Sequence, residues 1–530
     1  MSVAAIRCHG RVASAGLAAG AVARLDATIR RREPTGDPAR EAADLRAALT
    51  ASVADLAAMA DRIEGEAAEI IGFQIAMLED DALAEGAFHA IDAGIDAAHA
   101  WHEAMASEIA GYEAADDAYF RARASDLADI RDRVARHLSG EDAAAVIPGG
   151  SVLVGEDLTP SRFLAVDWRA GGAIVLSGGS ASSHVAMLAR ARGVPMLVGT
   201  AGLPENAATA LVDANRGTVV FDPDPSAREA FERQVAAAAA DRAAIEPYRL
   251  KPAITAAGER VAVMINVADP DELDALDPAM CDGVGLTRTE FLFHAGKGLP
   301  DEETQYRAYA RIAAWAKGRP VTIRTLDAGG DKPIEGLTIQ ETNPFLGLRG
   351  IRLCLARPDV FRVQLRALAR ASVAGNIKVM LPMVAIPDEI TRASAMLDEE
   401  IASLRQAGIA CARPPLGMMV EVPAAAISAQ DFPAEFYSIG SNDLTQYTLA
   451  ASRDSAEVAA LNDAANPAVL DLIARTVAAG KTRSVDVSLC GDAAADPAIV
   501  PKLLDAGLRS VSVAPIAIAR VKAAIAKHGG

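Results

Sequence analysis

Downstream of Pro252, eight short apolar runs alternate with mostly helical stretches, and this repetition constrains the fold more than any other feature of the chain. The runs fall at residues 261–267, 283–286, 321–326, 377–383, 417–422, 436–440, 485–489 and 510–513. Continuous apolar runs of this length read as buried parallel strands, because a sheet covered by helices has no wet face. Eight strand-helix units are what a (β/α)8 barrel requires, and such a barrel collects its chemistry at the C-terminal ends of its strands.

The residues at those ends have chemical meaning. Arg288 follows the second run (GVGLTRTEFLF), and Arg324 and Lys332 belong to the third (VTIRTLDAGGDK). Glu421 belongs to the fifth (MMVEVP), Asn442, Asp443 and Arg453 follow the sixth (IGSNDLTQYTLAASRD), and Cys490 closes the seventh (SLCGD). Arginine forks onto phosphate and carboxylate. Glu421 and Asp443 suit Mg2+, which takes a few carboxylate oxygens and fills its shell with substrate oxygens. Together these residues point to a small, multiply charged anion bound with a hard divalent cation. Each also has a plainer use: a surface ion pair for an arginine, a helix cap for a carboxylate, a small buried hydrophobe for the cysteine. If the ligand is an enol phosphate, losing its phosphoryl group leaves an enolate carbon to be protonated, and the Cys490 thiol can supply that proton.

A second chemical feature lies upstream, in LSGGSASSHVAMLARARGVPMLVG. Residues 173–176 read as a strand, Gly178-Gly179 as a tight turn, and Ser180, Ser182 and Ser183 as N-cap types before a helix that Gly193 and Pro195 stop. His184 is thereby placed in the first helical turn. Unpaired N–H groups there disfavour imidazolium and favour an anion such as phosphate. Packing or capping is the ordinary use of a lone histidine, but the small residues around His184 leave room for a bulky anion.

These two features set the division of the chain. Residues 1–34 and 143–225 are expected to form one discontinuous small α/β domain, 35–142 an all-helical insert of four helices, 226–251 a linker helix and 252–530 the barrel. The insert carries the charge: residues 37–142 hold 24 acidic side chains against eight arginines and no lysine, nearly all of the formal −18. Solvated helix faces or a docking surface for a basic partner both fit that count. The acidic balance argues against nonspecific nucleic-acid binding and attraction to anionic membranes. No apolar run approaches the ~20 residues of a membrane span, and the amino terminus lacks a signal-peptide core, so a cytoplasmic protein without membrane insertion is expected. Cys8, Cys281, Cys354, Cys411 and Cys490 are odd in number and lack a CxxC pair, which predicts free thiols.

The motifs quoted above, with NPFLGLRGIR and MMVEVPAAA, occur together in one order, and in that order the chain resembles enzyme I of the bacterial phosphoenolpyruvate-dependent sugar phosphotransferase system. The resemblance covers essentially the whole chain, including QIAMLEDDALAEG and YFRARASDLADIRDRV in the insert. It implies a swivelling domain carrying a phosphohistidine at His184, a helical domain that docks the carrier protein HPr, and a phosphoenolpyruvate-binding TIM-type barrel. Phosphoenolpyruvate would be held by Arg288, Arg324, Asn442, Asp443 and Arg453, with Lys332 and Arg349 as further candidates. Glu421 and Asp443 would hold Mg2+, Cys490 would protonate the enolate to give pyruvate, and the protein would be a homodimer. Three departures stand out: Ser182 where the family has threonine, Asp492 where glutamate is usual, and an end at Gly530 without a C-terminal helix that some relatives use in dimerisation. The rivals are a pyruvate phosphate dikinase or phosphoenolpyruvate synthase-like enzyme lacking its ATP domain, and a non-catalytic phosphoenolpyruvate-sensing protein.

Overall fold

The computed structural model describes residues 5–25, 32–60, 66–114, 118–140, 148–180, 183–293, 298–330, 334, 336–339, 341–452, 458 and 461–529. The chain forms two compact units, Met1–Ala239 and Ala240–Gly530.

The first unit is built on a mixed sheet of β1 (Ile6–His9), β2 (Arg11–Ser14), β3 (Leu17–Arg24), β4 (Val152–Gly155), β5 (Ala173–Leu176), β6 (Met196–Val198), β7 (Thr209–Asp213) and β8 (Thr218–Phe221), in the order β1-β8-β7-β3-β4-β5-β6-β2. The amino-terminal strands therefore find partners far along the chain: Ile6 lies opposite Phe221, and Val12 opposite Leu197. Alternation along the strands gives the sheet two apolar faces. Leu153 and Ile174 pack with Phe163, Val185 and Leu188, while Val152, Val154 and Val175 pack with Val212, Val219 and Phe221.

β3 and β4 are hydrogen-bonded parallel neighbours, Val22 opposite Val152, yet the whole helical insert lies between them in the chain. Among the described residues the insert has five helices, not the expected four: α1 (Pro38–Ala60), α2 (Glu66–Glu79), α3 (Asp81–Asp92), α4 (Ala97–Glu113) and α5 (Ala118–Ser139). Asp80 supplies one additional boundary. Its carboxylate accepts from Ala82 N–H and starts α3 inside a run that otherwise reads as continuous helix. Leu45, Leu56, Ile91, Trp101, Leu127 and Ile130 fill the bundle core. The bundle is fastened to the sheet layer at Asp129 of α5, which accepts from Ser161 N–H and Oγ at 3.0 and 2.7 Å and from Gln74 Nε2 at 3.0 Å. Ser161 lies in α6 (Pro160–Ala165), and α7 (His184–Arg192) and α8 (Pro225–Ile245) complete the unit's helices, α8 running across the boundary between the units.

The second unit is the closed barrel. After a two-residue strand, β9 (Ala253–Ile254), come β10 (Arg260–Val267), β11 (Val284–Thr287), β12 (Val321–Arg324), β13 (Ile377–Leu381), β14 (Leu416–Val420), β15 (Phe436–Gly440), β16 (Asp486–Cys490) and β17 (Ser510–Val513). Each of β10 to β17 pairs in parallel with the next, and β17 returns to β10. All eight expected strands are present. Three end before their apolar runs do: β12 at Arg324, β14 at Val420 and β13 at Leu381, the last followed by Met383 in the left-handed region at φ +60°. Val261, Val321, Ile323, Val379, Met418 and Ile439 pack outward against the helices. The five cysteines are free, and no described helix is long and apolar enough to cross a membrane.

Candidate active site

Strand alternation decides what faces the barrel lumen. Since Val321, Ile323, Met418 and Val420 face the outer helices, Arg324, Met419 and Glu421 fall on the opposite side. Leu286, Met380, Met419, Phe436 and Cys490 form a separate buried cluster inside. Charged groups take over at the mouth, where the strands end.

Arg324, the last residue of β12, donates Nη2 to Glu290 Oε1 at 2.8 Å, and its Nη1 lies 2.8 Å from Asp327 Oδ2. Arg349 is 1% exposed and doubly forked. Nε and Nη2 donate to both oxygens of Asp327 at 3.0 and 3.1 Å, while Nη1 and Nη2 donate to both oxygens of Asp443 at 3.2 and 3.1 Å. Burial works against the charged form of both guanidiniums, but the surrounding carboxylates outweigh it and raise both pKa values.

Glu421 is the first residue past β14 and is 1% exposed; its Oε1 accepts from Met383 N–H at 2.6 Å. The left-handed turn at Met383 aims that N–H at the carboxylate. Gly440 leaves the space on the other side, since a Cβ there would stand 2.8 Å from Glu421 Oε2. Burial, then Asp443 and Asp327, push Glu421 up to about 8, against the pull of Arg324 and Arg349. The mouth thus crowds carboxylates that a cation would relieve. Among the described residues no three acidic, histidine or cysteine side chains form a self-contained cation cage. Two carboxylates that leave the remaining positions to substrate and water fit Mg2+ better than a cation needing an all-protein shell.

Unsatisfied polar atoms lie at the same end of neighbouring strands. Thr287 Oγ1, Glu290 Oε2, Arg324 Nε and Thr325 Oγ1 are buried without a hydrogen-bond partner among the described residues. Each such atom costs about 1–3 kcal/mol, which marks a place where a polar ligand belongs. Arg288, just past β11, is exposed, and its charge is felt at Cys490. Cys490 ends β16; its Sγ accepts from Ser438 Oγ at 3.7 Å and donates to Ile439 O at 3.6 Å. Burial pushes its thiol up to about 11, so at neutral pH it holds its proton. Asn442 pairs reciprocally with Asp492: Nδ2 donates to Asp492 Oδ2 at 3.2 Å and Oδ1 accepts from Asp492 N–H at 2.9 Å. The shorter acid at 492 thus fixes the orientation of this amide.

Arg288, Arg324, Arg349, Glu421, Asn442, Asp443 and Cys490 are accordingly all on strand ends or connections at one end of the barrel. Lys332, Arg453 and Ser182 lie outside the described residues. His184 belongs to the other unit, as the first residue of α7. Ser183 is the N-cap, its Oγ accepting from Ala186 N–H at 3.2 Å, and Gly193 closes the helix in the left-handed region at φ +65°. The loop holding this helix start runs beside the one after β4, with Ser177 and Gly178 N–H donating to Gly155 and Glu156 O.

Sequence reasoning missed Glu290, Asp327, Tyr447 and Ser438. Asp327 had a signal: an arginine ending a buried strand needs a carboxylate nearby, and Asp327 follows Arg324 by one short turn. Tyr447 Oη lies 3.4 Å from Arg349 Nη1 and donates to Phe345 O at 2.5 Å, contacts that no motif announces.

Family models match in succession along the chain: the N-terminal domain of PEP-utilising enzymes over residues 9–123, their mobile domain over 147–217, and their PEP-binding domain over 242–529. The phosphoenolpyruvate-protein phosphotransferases of Geobacillus stearothermophilus and Priestia megaterium are each 36% identical, covering 98% of this chain and 93% of their own. That of Haloferax volcanii is 37% identical over 88% of this chain and 83% of its own. A barrel mouth lined by arginines and carboxylates, a histidine opening a helix in a separate unit, and this end-to-end similarity lead to one assignment: the chain belongs to the phosphoenolpyruvate-protein phosphotransferase family of PEP-utilising enzymes.

Proposed function

We propose that the protein transfers the phosphoryl group of phosphoenolpyruvate to His184, releases pyruvate, and passes the group to a histidine of the carrier protein HPr, the first step of the sugar phosphotransferase system. The observation that carries this reading is the buried Arg324–Asp327–Arg349–Asp443 network beside Glu421 and Cys490 at the barrel mouth. Phosphoryl transfer asks a protein mainly for positioning and charge neutralisation. Arg324 and Arg349, already fixed by carboxylates, set positive charge beside the substrate anion, and Arg288, Asn442, Arg453 and Lys332 complete its binding. Glu421 and Asp443 would hold Mg2+, which supplies neutralisation of the phosphate and carboxylate oxygens when bound.

The imidazole nitrogen of His184 attacks phosphorus as the bridging P–O bond breaks, and the bond electrons remain on the enolate. The Cys490 thiol then protonates the enolate carbon. Residues 1–34 and 143–225 carry the phosphohistidine, 35–142 dock the carrier through their acidic faces, 226–251 link, and 252–530 bind phosphoenolpyruvate. Homodimerisation through the barrel is supported by exposed Ile339, Leu346, Ile386, Ile427 and Leu461, all on connections after the neighbouring strands β12 to β15.

The test is incubation with Mg2+ and phosphoenolpyruvate labelled on its phosphoryl group. Acid-labile, base-stable label should appear with one pyruvate per chain, be absent in His184→Ala, and be chased by HPr. Label arising only from ATP would make the protein dikinase-like, and no label with bound phosphoenolpyruvate would make it a sensor.

A further inference from the structure

We propose that Ser438 is a positioning residue for the protonation half of the reaction, its hydroxyl holding the Cys490 sulfur and steadying the thiolate left when the thiol gives up its proton. This rests on the reading of Cys490 as the proton donor. Ser438 is buried in the middle of β15, and Cys490 is in register with Gly440 of the same strand. The Ser438 hydroxyl reaches Cys490 Sγ at 3.7 Å, and Ile439 O lies 3.6 Å from the same sulfur. β15 therefore grips the sulfur twice, once through a donor and once through an acceptor.

The two grips act differently. The contact to Ile439 O parks the thiol proton on the main chain, and rotation about Cβ–Sγ frees it without moving the sulfur. The Ser438 contact persists through that rotation because it falls on sulfur itself. In the step, the enolate carbon uses its electron pair to take the thiol proton; the S–H bond breaks, a C–H bond forms, and the negative charge moves to sulfur. Water later returns a proton to the thiolate. The lumen around the sulfur is apolar, lined by Leu286, Met380, Met419 and Phe436, none of which can donate to a thiolate. Arg324 and Arg288 act on Cys490 only through their field, whereas Ser438 contacts it directly, and both effects favour the thiolate against burial.

The experiment uses the full-length chain with Mg2+ and phosphoenolpyruvate and compares wild type, Ser438→Ala, Cys490→Ala and the double variant. A charge-assisted hydrogen bond of this kind predicts a fall of about tenfold in kcat for Ser438→Ala, with KM changed by less than about twofold. The solvent deuterium isotope effect on pyruvate formation should rise, because carbon protonation becomes slower. Ser438→Cys, which keeps a weaker donor at the same place, should fall between serine and alanine. The double variant should be no slower than Cys490→Ala, since Ser438 acts only through that sulfur. Wild-type kcat in Ser438→Ala, or a penalty that adds in full on Cys490→Ala, overturns the inference and leaves Cys490 as donor. Undiminished turnover in Cys490→Ala removes the donor assignment itself.

Discussion

Asp327 is fully buried and shares its two oxygens between Arg324 and Arg349, so a single carboxylate sets both guanidinium edges. Asp327→Asn keeps the shape but removes the charge, leaving two buried cations undercompensated. Breaking a buried pair in this way costs about 3–5 kcal/mol, and the barrel's calorimetric transition should move down by about 5–10 °C. The KM for phosphoenolpyruvate should rise with it, as Arg349 loses its fixed orientation. Conversely, a variant with unchanged melting and unchanged KM would show that Asp443 alone orients Arg349. Asp327 was easy to miss in the sequence because its work is done on other side chains, and its one signal is its place a short turn after Arg324. Arg324, Glu421 and Cys490 were legible as polar residues interrupting apolar strand ends. Arg349 came only through family resemblance, since it lies on a long connection where no periodicity singles it out.

At the level of elements, the barrel strands could be read because they are buried on both faces and therefore continuously apolar. The helices of the insert were harder to count, because Asp80 ends one and begins another without a glycine or proline to mark the place. Another helix start in the insert has a measurable consequence. Glu41, in the first turn of α1, is buried and accepts from Thr35 Oγ1 and N–H, Ala97 N–H and Arg32, which ties the start of α1 to the start of α4. Burial alone would raise its pKa, but these hydrogen bonds bring it from 4.5 down to about 2. A depressed carboxylate stabilises the fold fully above its unfolded pKa and loses that effect as pH falls through the folded value. Glu41→Gln should thus destabilise the bundle by about 2 kcal/mol at pH 7. The difference from wild type should shrink between pH 4.5 and about 2, followed by the far-ultraviolet signal in urea. A penalty that does not vary with pH would mean the glutamate acts by packing alone.

For the whole molecule, the exposed apolar side chains Leu346 and Ile427 lie on the connections that follow barrel strands β12 and β14. If copies of the chain meet through these connections, replacing both by aspartate should lower the sedimentation coefficient to that of a monomer while leaving the secondary structure intact. An unchanged sedimentation coefficient would place the interface elsewhere. The position of the helical insert carries a different consequence, for how the chain reaches its native state. β3 and β4 must pair in register across residues 25–151, yet loop-closure entropy rises only by about 0.6 kcal/mol for each doubling of length. The sheet is therefore nearly indifferent to the size of what is threaded between these two strands. Ancestral chains could lengthen, shorten or exchange the bundle without disturbing the strand ladder, provided the clasp at Asp129 and Ser161 was rebuilt.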